Sequence, residues 1–499
     1  MGVWDSLLQG FAVAGQPVNI FLVLVGCFVG TLIGSLPGIG PINGVAILMP
    51  IAYSFGLPAE SALILLAGVY YGAEYGGRIS SILLNVPGDA GAVMTTIDGH
   101  PMAMNGEAGR ALSLSAVASF FGGFVALILL TIFAPLLSKL AIKFGPVEFT
   151  ILIIFALTCL TSLVGKKPVK TLIACVLGLL ISMIGIDPLS GVMRYTLGIP
   201  DLFGGIDFAI VVIGLFAVSE VFILVERWKG EDIKQSKIGS TFISFADITK
   251  VRFTMVRATV IGFLIGVLPG TGASIASAVA YGTEKQLASD KASFGKGNIK
   301  GLAAPESANN AAAVGAMVPM LTLGIPGSGT TAVLLGVLLL FNITPSPQLF
   351  SQEPQLVWGL IASMYFGNIA LLILNLPLVG VFARLLSVKQ GYLIPAVIML
   401  TFVGAFSLHG SSFELFLMIV LGTVAYLLRR SGFSLAPIVL GAVLGHQLEP
   451  NLRNALSNSQ GDWLTLLSSP TAVILWIAVI FMILWPFIMK KFKARDEEI

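Results

Sequence analysis

Apolar runs of roughly 20 residues, each long enough to cross a bilayer, recur along the chain from Asn19 almost to its end. A backbone inside hydrocarbon has no water to satisfy its amides and carbonyls, so these runs read as helices and the fold class as an all-α polytopic membrane protein. Composition agrees: of 499 residues, 56% are apolar and only 11% charged, where an ordinary soluble domain carries about 25% charged residues. The longest polar stretch, Arg227 to Arg257, is too short for an ATPase or a ligand-binding domain, and no Gly-x-x-x-x-Gly-Lys-Ser/Thr phosphate loop occurs. Any energy source or soluble receptor therefore comes from outside this chain. The 28 Lys and Arg are dispersed among loops and leave a net charge of +3, which gives no nucleic-acid face. Cys27, Cys159 and Cys175 lie in apolar segments, so packed thiols are expected rather than a disulfide framework. Residues 1–19 carry no basic n-region, and the first apolar segment is expected to remain in place.

Glycine-proline landmarks recur in order along the chain. Gly34-Ser35-Leu36-Pro37-Gly38-Ile39-Gly40 returns 232 positions on as Gly266-Val267-Leu268-Pro269-Gly270-Thr271-Gly272, and Val86-Pro87-Gly88-Asp89 returns 239 positions on as Ile325-Pro326-Gly327-Ser328. Val176-Leu177-Gly178 matches Val420-Leu421-Gly422, and Val212-Ile213-Gly214 matches Val439-Leu440-Gly441. An ordered set of this kind is the mark of a transporter built from repeats. The reading is two inverted-topology repeats, each with a re-entrant helical hairpin and a discontinuous helix, giving about 11 spans plus two hairpins. An N-terminal segment (1–18) precedes repeat 1 (19–226, hairpin 19–57, broken helix 61–97); a basic cytoplasmic linker (227–252) leads to repeat 2 (253–449, hairpin 253–283, broken helix 303–341); residues 450–499 supply a final span and a basic tail.

Charge sets the orientation. Basic residues flank the second hairpin on both sides, from Arg227 to Arg257 and from Lys285 to Lys300, so it should enter and leave by the cytoplasmic face. The first hairpin has no basic flank and should dip in from the periplasm, which puts the N-terminus periplasmic and the C-terminus cytoplasmic. This threading leaves Arg194, Arg453, Lys139 and Lys143 outside and Arg78 within a span.

A break in the backbone at membrane depth costs several kcal/mol per unsatisfied polar group unless protein, water or a ligand satisfies it. At the hairpin tips, half-helices beginning near Pro41 and Gly272 would turn free amides outward, and amides at a helix N-terminus attract anions. In the first hairpin the amides of Ile42, Asn43 and Gly44 are expected to point out. Candidate substrate-binding residues are therefore Ser35, Gly38, Gly40, Asn43 and Gly44 on one tip, and Gly270, Thr271, Gly272 and Ser274 on the other. The breaks within the long spans free carbonyls that suit a cation, so Asn85, Gly88, Asp89, Gly327, Ser328, Thr330 and Thr331 form a candidate sodium or cation site. The plainer reading is that Asp89 or Thr330 only caps the following half-helix. Glu74 and Arg78 sit four apart on one helix face, either as an internal ion pair or with Arg78 as a ligand for a substrate carboxylate. Asn309 and Asn310 either bind substrate or bridge helices. His100, His409 and His446 are assigned no proton-relay role.

The stretches Gly34 to Pro50 (GSLPGIGPINGVAILMP), Gly72 to Gly99 (GAEYGGRISSILLNVPGDAGAVMTTIDG) and Ala304 to Thr331 (APESANNAAAVGAMVPMLTLGIPGSGTT) resemble the large membrane subunit (TctA-type) of the tripartite tricarboxylate transporters, and the likeness runs over nearly the whole chain. The resemblance implies a bacterial inner-membrane uptake system in which this subunit works with a small four-helix membrane subunit and a periplasmic solute-binding protein. It also implies organic di- or tricarboxylate substrates and an ion gradient, sodium or proton, as the energy source. No cofactor is expected, and the oligomeric state stays open, with a homodimer among the options.

The mechanism expected is elevator-type alternating access, with hairpins and broken helices carrying substrate and cation past the remaining helices. A stand-alone carboxylate exchanger or exporter is the alternative. An enzyme is not expected: an intramembrane aspartyl protease at Gly88-Asp89 needs a second carboxylate, the matching position holds Ser328, and neither His-Glu-x-x-His nor Gly-x-Ser-x-Gly occurs.

Overall fold

The structure is a computed structural model describing residues 2–163, 168–187, 189–227, 241, 243–385 and 390–496. Most of the linker expected at 227–252, with Lys229, Lys234 and Lys237, lies outside the described residues. The chain begins with α1 (Val3–Ala14), α2 (Pro17–Ser35) and α3 (Gly40–Ser54), followed by α4 (Ala59–Leu84), α5 (Val93–Met102) and α6 (Ala108–Ala141). Then come α7 (Pro146–Leu163), α8 (Pro168–Ser182), α9 (Phe208–Val212), a π-helical turn (Ile213–Val218) and α10 (Ser219–Arg227). Past the linker are α11 (Phe245–Val267), α12 (Gly272–Leu287), α13 (Ile299–Gly315), α14 (Met317–Leu323) and α15 (Gly329–Leu340). The chain continues through α16 (Leu349–Gln352), α17 (Pro354–Asn375), α18 (Val379–Leu385), α19 (Gln390–His409), α20 (Ser412–Arg430), α21 (Ala436–Asn458) and α22 (Pro470–Asp496). Among the described residues five helices are long and apolar enough to cross a membrane, which makes this an all-α membrane protein. A small ribbon of two-residue strands, β1 (Gly185–Ile186) and β2 (Met193–Arg194), pairs antiparallel, which the sequence did not signal.

The turns joining α2 to α3 and α11 to α12 share their backbone. Gly38 and Gly40 have φ of 84° and 68°, and Gly270 and Gly272 have 77° and 63°, in the left-handed region that glycine enters without steric cost. Leu36 and Leu268 close the preceding helices in extended conformation. Each turn then rests on a helix break. The Gly38 amide donates to the Gly88 carbonyl at 3.2 Å, and the Gly270 amide donates to the Gly327 carbonyl at 2.9 Å.

Small residues let the helices approach closely enough for these contacts. A Cβ on Gly30 or Gly34 of α2 would come within 2.3 and 2.1 Å of the Val69 and Ala73 carbonyls of α4. A Cβ on Gly262 or Gly266 of α11 would come within 2.4 Å of the Ala308 and Ala312 carbonyls of α13. Such small-residue seams pack helices where lipid supplies no hydrophobic drive.

Asn85 (φ 57°) and Gly324 (φ 68°) end α4 and α14 in left-handed conformation, as helix C-caps do. Downstream of the first break, α5 leads through residues 103–107, kinked at Gly106 (φ 84°), into α6, which runs to Ala141.

Candidate functional site

A cavity of about 420 Å³ lies between the two turns, a size typical of small-molecule sites. Gly38 to Asn43 line one side of it and Gly270 to Ser274 the other. Asp89, Ala90 and Gly91 of the first break, Ser328 to Thr330 of the second, and Tyr70 and Glu74 of α4 complete much of the wall. The two breaks and the two turns, far apart in sequence, therefore face one space.

Neither α3 nor α12 has a side-chain cap. The amides of Gly40 and Ile42, and those of Gly272, Ala273 and Ser274, fall in the first turns of these helices, where no intrahelical carbonyl reaches them. Pro41 has no amide to leave unpaired. The expectation that Asn43 and Gly44 also offer their amides is corrected: α3 already begins at Gly40, so both amides lie inside the helix ladder. Gly44 instead admits Ile33, whose Cγ2 would sit 3.0 Å from a Cβ there. Asn43 contributes its side chain, which donates to the Ile39 carbonyl and, at 3.1 Å, to Glu220 Oε2, leaving the buried Oδ1 unpartnered.

The cation-site candidates divide. Asp89 Oδ1 accepts from the Ala92 amide at 3.0 Å just ahead of α5, which has no side-chain cap, whereas Ser328 Oγ accepts from the Thr331 amide at 3.2 Å and caps α15; Asp89, Ser328 and Thr330 also line the cavity. Thr331 is buried in a reciprocal capping box with Ser328. The carbonyls of Gly88 and Gly327 are taken by the hairpin tips. Asn85 serves as the left-handed end of α4 and does not line the cavity. Glu74, which lines the cavity with Asp89, accepts from Asn309 Nδ2 at 3.0 Å. Asn309 Oδ1 is buried without a partner and abuts Gly91.

Several substrate candidates lie away from the cavity. Ser35 is buried and donates to the Leu32 carbonyl; Asn310 donates to the Glu306 carbonyl within its own helix. Glu74 and Arg78 do not form the expected ion pair. Arg78 is fully buried, with Nη1 donating at 2.6 Å to the Leu112 carbonyl and Ser115 Oγ, and Nη2 donating at 2.9 Å to Asn375 Oδ1. One helical turn separates the two side chains, and α6 and α17 supply neutral oxygens that hold the guanidinium off toward them.

Among the described residues, the cationic side chain that lines the cavity is Arg429, at the end of α20. Its Nη1 donates to Glu220 Oε2 at 2.6 Å, and Glu220 is nearly buried. Sequence reasoning missed both residues. An Arg at a helix end beside a second Arg reads as an interfacial charge, and only the packing of α20 against the Ile213–Arg227 segment turns it inward.

Among the described residues, the first turns of two uncapped helices, the Glu74 and Asp89 carboxyls and the Arg429 guanidinium border one cavity in an all-α membrane protein. The chain belongs to the tripartite tricarboxylate transporter TctA family, whose sequence profile matches residues 20–440. It is thus a membrane component of a tripartite transporter and associates with partners of that system. It is 40% identical, over 98% of each chain, to an uncharacterized 52.8 kDa protein of the TAR-I ttuC′ 3′ region of Agrobacterium vitis. It is 42% identical, over 47% of its own length and 98% of the relative, to an uncharacterized protein of the TAR-II ttuC′ 3′ region of the same organism. No solved structure matches.

Proposed function

We propose that this chain is the large membrane subunit of a secondary uptake system that carries organic di- and tricarboxylates across the bacterial inner membrane, coupled to a sodium or proton gradient. The observation that carries the reading is the convergence of two uncapped helix N-termini on the cavity that Asp89 and Glu74 also line. The amides supply partial positive charge for carboxylates, and the facing carboxyls call for a cation. Carrying a carboxylate alone through a low-dielectric path is costly, and a co-bound cation lowers the net charge that has to cross.

The two halves act as inverted repeats. Supporting this, the offsets of 232 and 239 that relate the sequence motifs also relate Gly38–Gly88 to Gly270–Gly327 and Gly34–Ala73 to Gly266–Ala312. The hairpins α2–α3 and α11–α12 with their broken helices form the moving block, and the other helices form a scaffold, in an elevator-type cycle. A periplasmic solute-binding protein delivers the acid, and a small four-helix membrane subunit completes the complex. The test is uptake of radiolabelled citrate and succinate into proteoliposomes containing both membrane subunits, with the receptor added outside. Accumulation that requires both the receptor and an imposed ion gradient supports the reading. Equal uptake without either removes the coupled, receptor-dependent mechanism in favour of a stand-alone exchanger.

A further inference from the structure

The guanidinium of Arg429 is held by one corner. Its Nη1 donates to Glu220 Oε2 at 2.6 Å and to Ser219 Oγ at 3.4 Å, while Nε and Nη2 have no hydrogen-bond partner among the described residues. The side chain is 27% exposed and lines the same cavity as the hairpin amides. Nε and Nη2 together form one edge of the guanidinium, with two parallel N–H groups spaced to match the two oxygens of a carboxylate. The neighbouring Arg430 does not share this position: it is 62% exposed, faces Glu226, and stacks its guanidinium over the Tyr426 ring.

The same Glu220 oxygen accepts from Asn43 Nδ2 at 3.1 Å, so one buried carboxylate ties Arg429 of α20 to the first turn of α3. The bond fixes where the free edge of Arg429 points. It also leaves Asn43 Oδ1 buried with no donor opposite it. The helix amides at the tips accept any carboxylate, and they give no reason for a cavity to prefer two carboxylates over one. A second, separate cation does.

We propose that Arg429 is the specificity-determining residue for substrates with more than one carboxylate: its Nε/Nη2 edge takes a second carboxylate of the acid whose first carboxylate lies at the hairpin amides, and Glu220 positions it. This deepens the proposed function and rests on that reading. An acid with one carboxylate leaves this edge without a partner, whereas a di- or tricarboxylic acid satisfies both ends of the cavity. Glu220 is a positioning residue, acting through Arg429 rather than on the solute.

The test uses the purified full chain in detergent, titrated with succinate and citrate against butyrate, which matches succinate in carbon number but lacks the second carboxylate. The native chain is expected to bind succinate or citrate more tightly than butyrate by about 10- to 100-fold, the worth of a charged hydrogen-bonded contact. Arg429→Gln is expected to erase most of that ratio by weakening the di- and tricarboxylate while leaving butyrate within about twofold. Arg429→Lys keeps a charge beside Glu220 but loses the two-pronged edge, and is expected to fall between the two. It also covers the case in which Arg429→Gln fails to fold. Arg430→Gln is expected to keep the native ratio. A native ratio retained by both Arg429 variants overturns this inference alone; a native chain that binds none of the three acids overturns the proposed function with it.

Discussion

The Gly270 amide donates to the Gly327 carbonyl across 2.9 Å, tying the tip of one helical hairpin to the break in a helix it does not follow in sequence. Gly270 stands at φ 77°, and a Cβ there would lie 2.2 Å from Leu160 Cδ2. Gly270→Val is therefore expected to combine backbone strain of about 1–3 kcal/mol with a steric conflict. Citrate uptake should drop at least about tenfold, the equivalent of 1.4 kcal/mol. Gly282→Ala, where nothing lies within 4 Å of the new Cβ, should retain native uptake. Parallel uptake assays on matched amounts of inserted protein check this pair.

The helix seams make a second expectation. Gly34→Leu and Gly266→Leu force side chains into the Ala73 and Ala312 carbonyls, at 2.1 and 2.4 Å from the Cβ alone. Each should destabilise the protein by about 1–3 kcal/mol or more, as overpacking does. The thermal unfolding midpoint in detergent should fall for both variants, and a midpoint unchanged from native would show that α2 and α4, or α11 and α13, are not in close contact.

Asp89 combines a structural and a proposed role, since it accepts from the Ala92 amide and lines the cavity with Glu74. Asp89→Asn keeps an oxygen able to accept from the Ala92 amide but removes the charge. It should alter the sodium and pH dependence of uptake more than the affinity for citrate. Uptake profiles against sodium and pH that overlay the native ones would remove Asp89 from the cation site.

Outside the spans, Asp187 gives a pH expectation. Hydrogen bonds from the Ser190 hydroxyl and the Arg453 guanidinium, the latter at 2.8 Å, hold its carboxyl well below the usual carboxylate range. A folded pKa below the unfolded value of about 3.9 means that the stabilisation is present above that value and is lost as pH falls through it toward the folded pKa. Asp187→Asn should lower the unfolding midpoint at pH 7, and its deficit relative to native should shrink as the pH is taken below about 4. A deficit that stays constant with pH would assign the loss to packing instead of charge.

What could be read from the sequence was local. Pro37-Gly38 and Pro326-Gly327 mark breaks because proline and glycine disturb a helix wherever it packs, and α2 ends at Ser35 and α14 at Leu323. Span ends were less legible. The broken helix expected to end at 97 continues in α5 to Met102, and α6 follows across a kink at Gly106. Side-chain partners were illegible where they depend on helix rotation. Nothing near Arg78 announces that Asn375, 297 positions away, will accept from it. Nothing near Arg429 distinguishes it from Arg430, although one faces the cavity and the other Glu226.

The central claim is that the first turns of α3 and α12 border one anion site. Ile42 and Ala273 line the cavity from opposite hairpins, and native Cys27, Cys159 and Cys175 are buried, which gives a quiet background for thiol labelling. The measurement is the rate of maleimide modification of Ile42→Cys and Ala273→Cys in membranes, with and without citrate. Citrate should slow both reactions over the same concentration range. Protection of only one position, or protection of the two at widely different citrate concentrations, would contradict a single shared site.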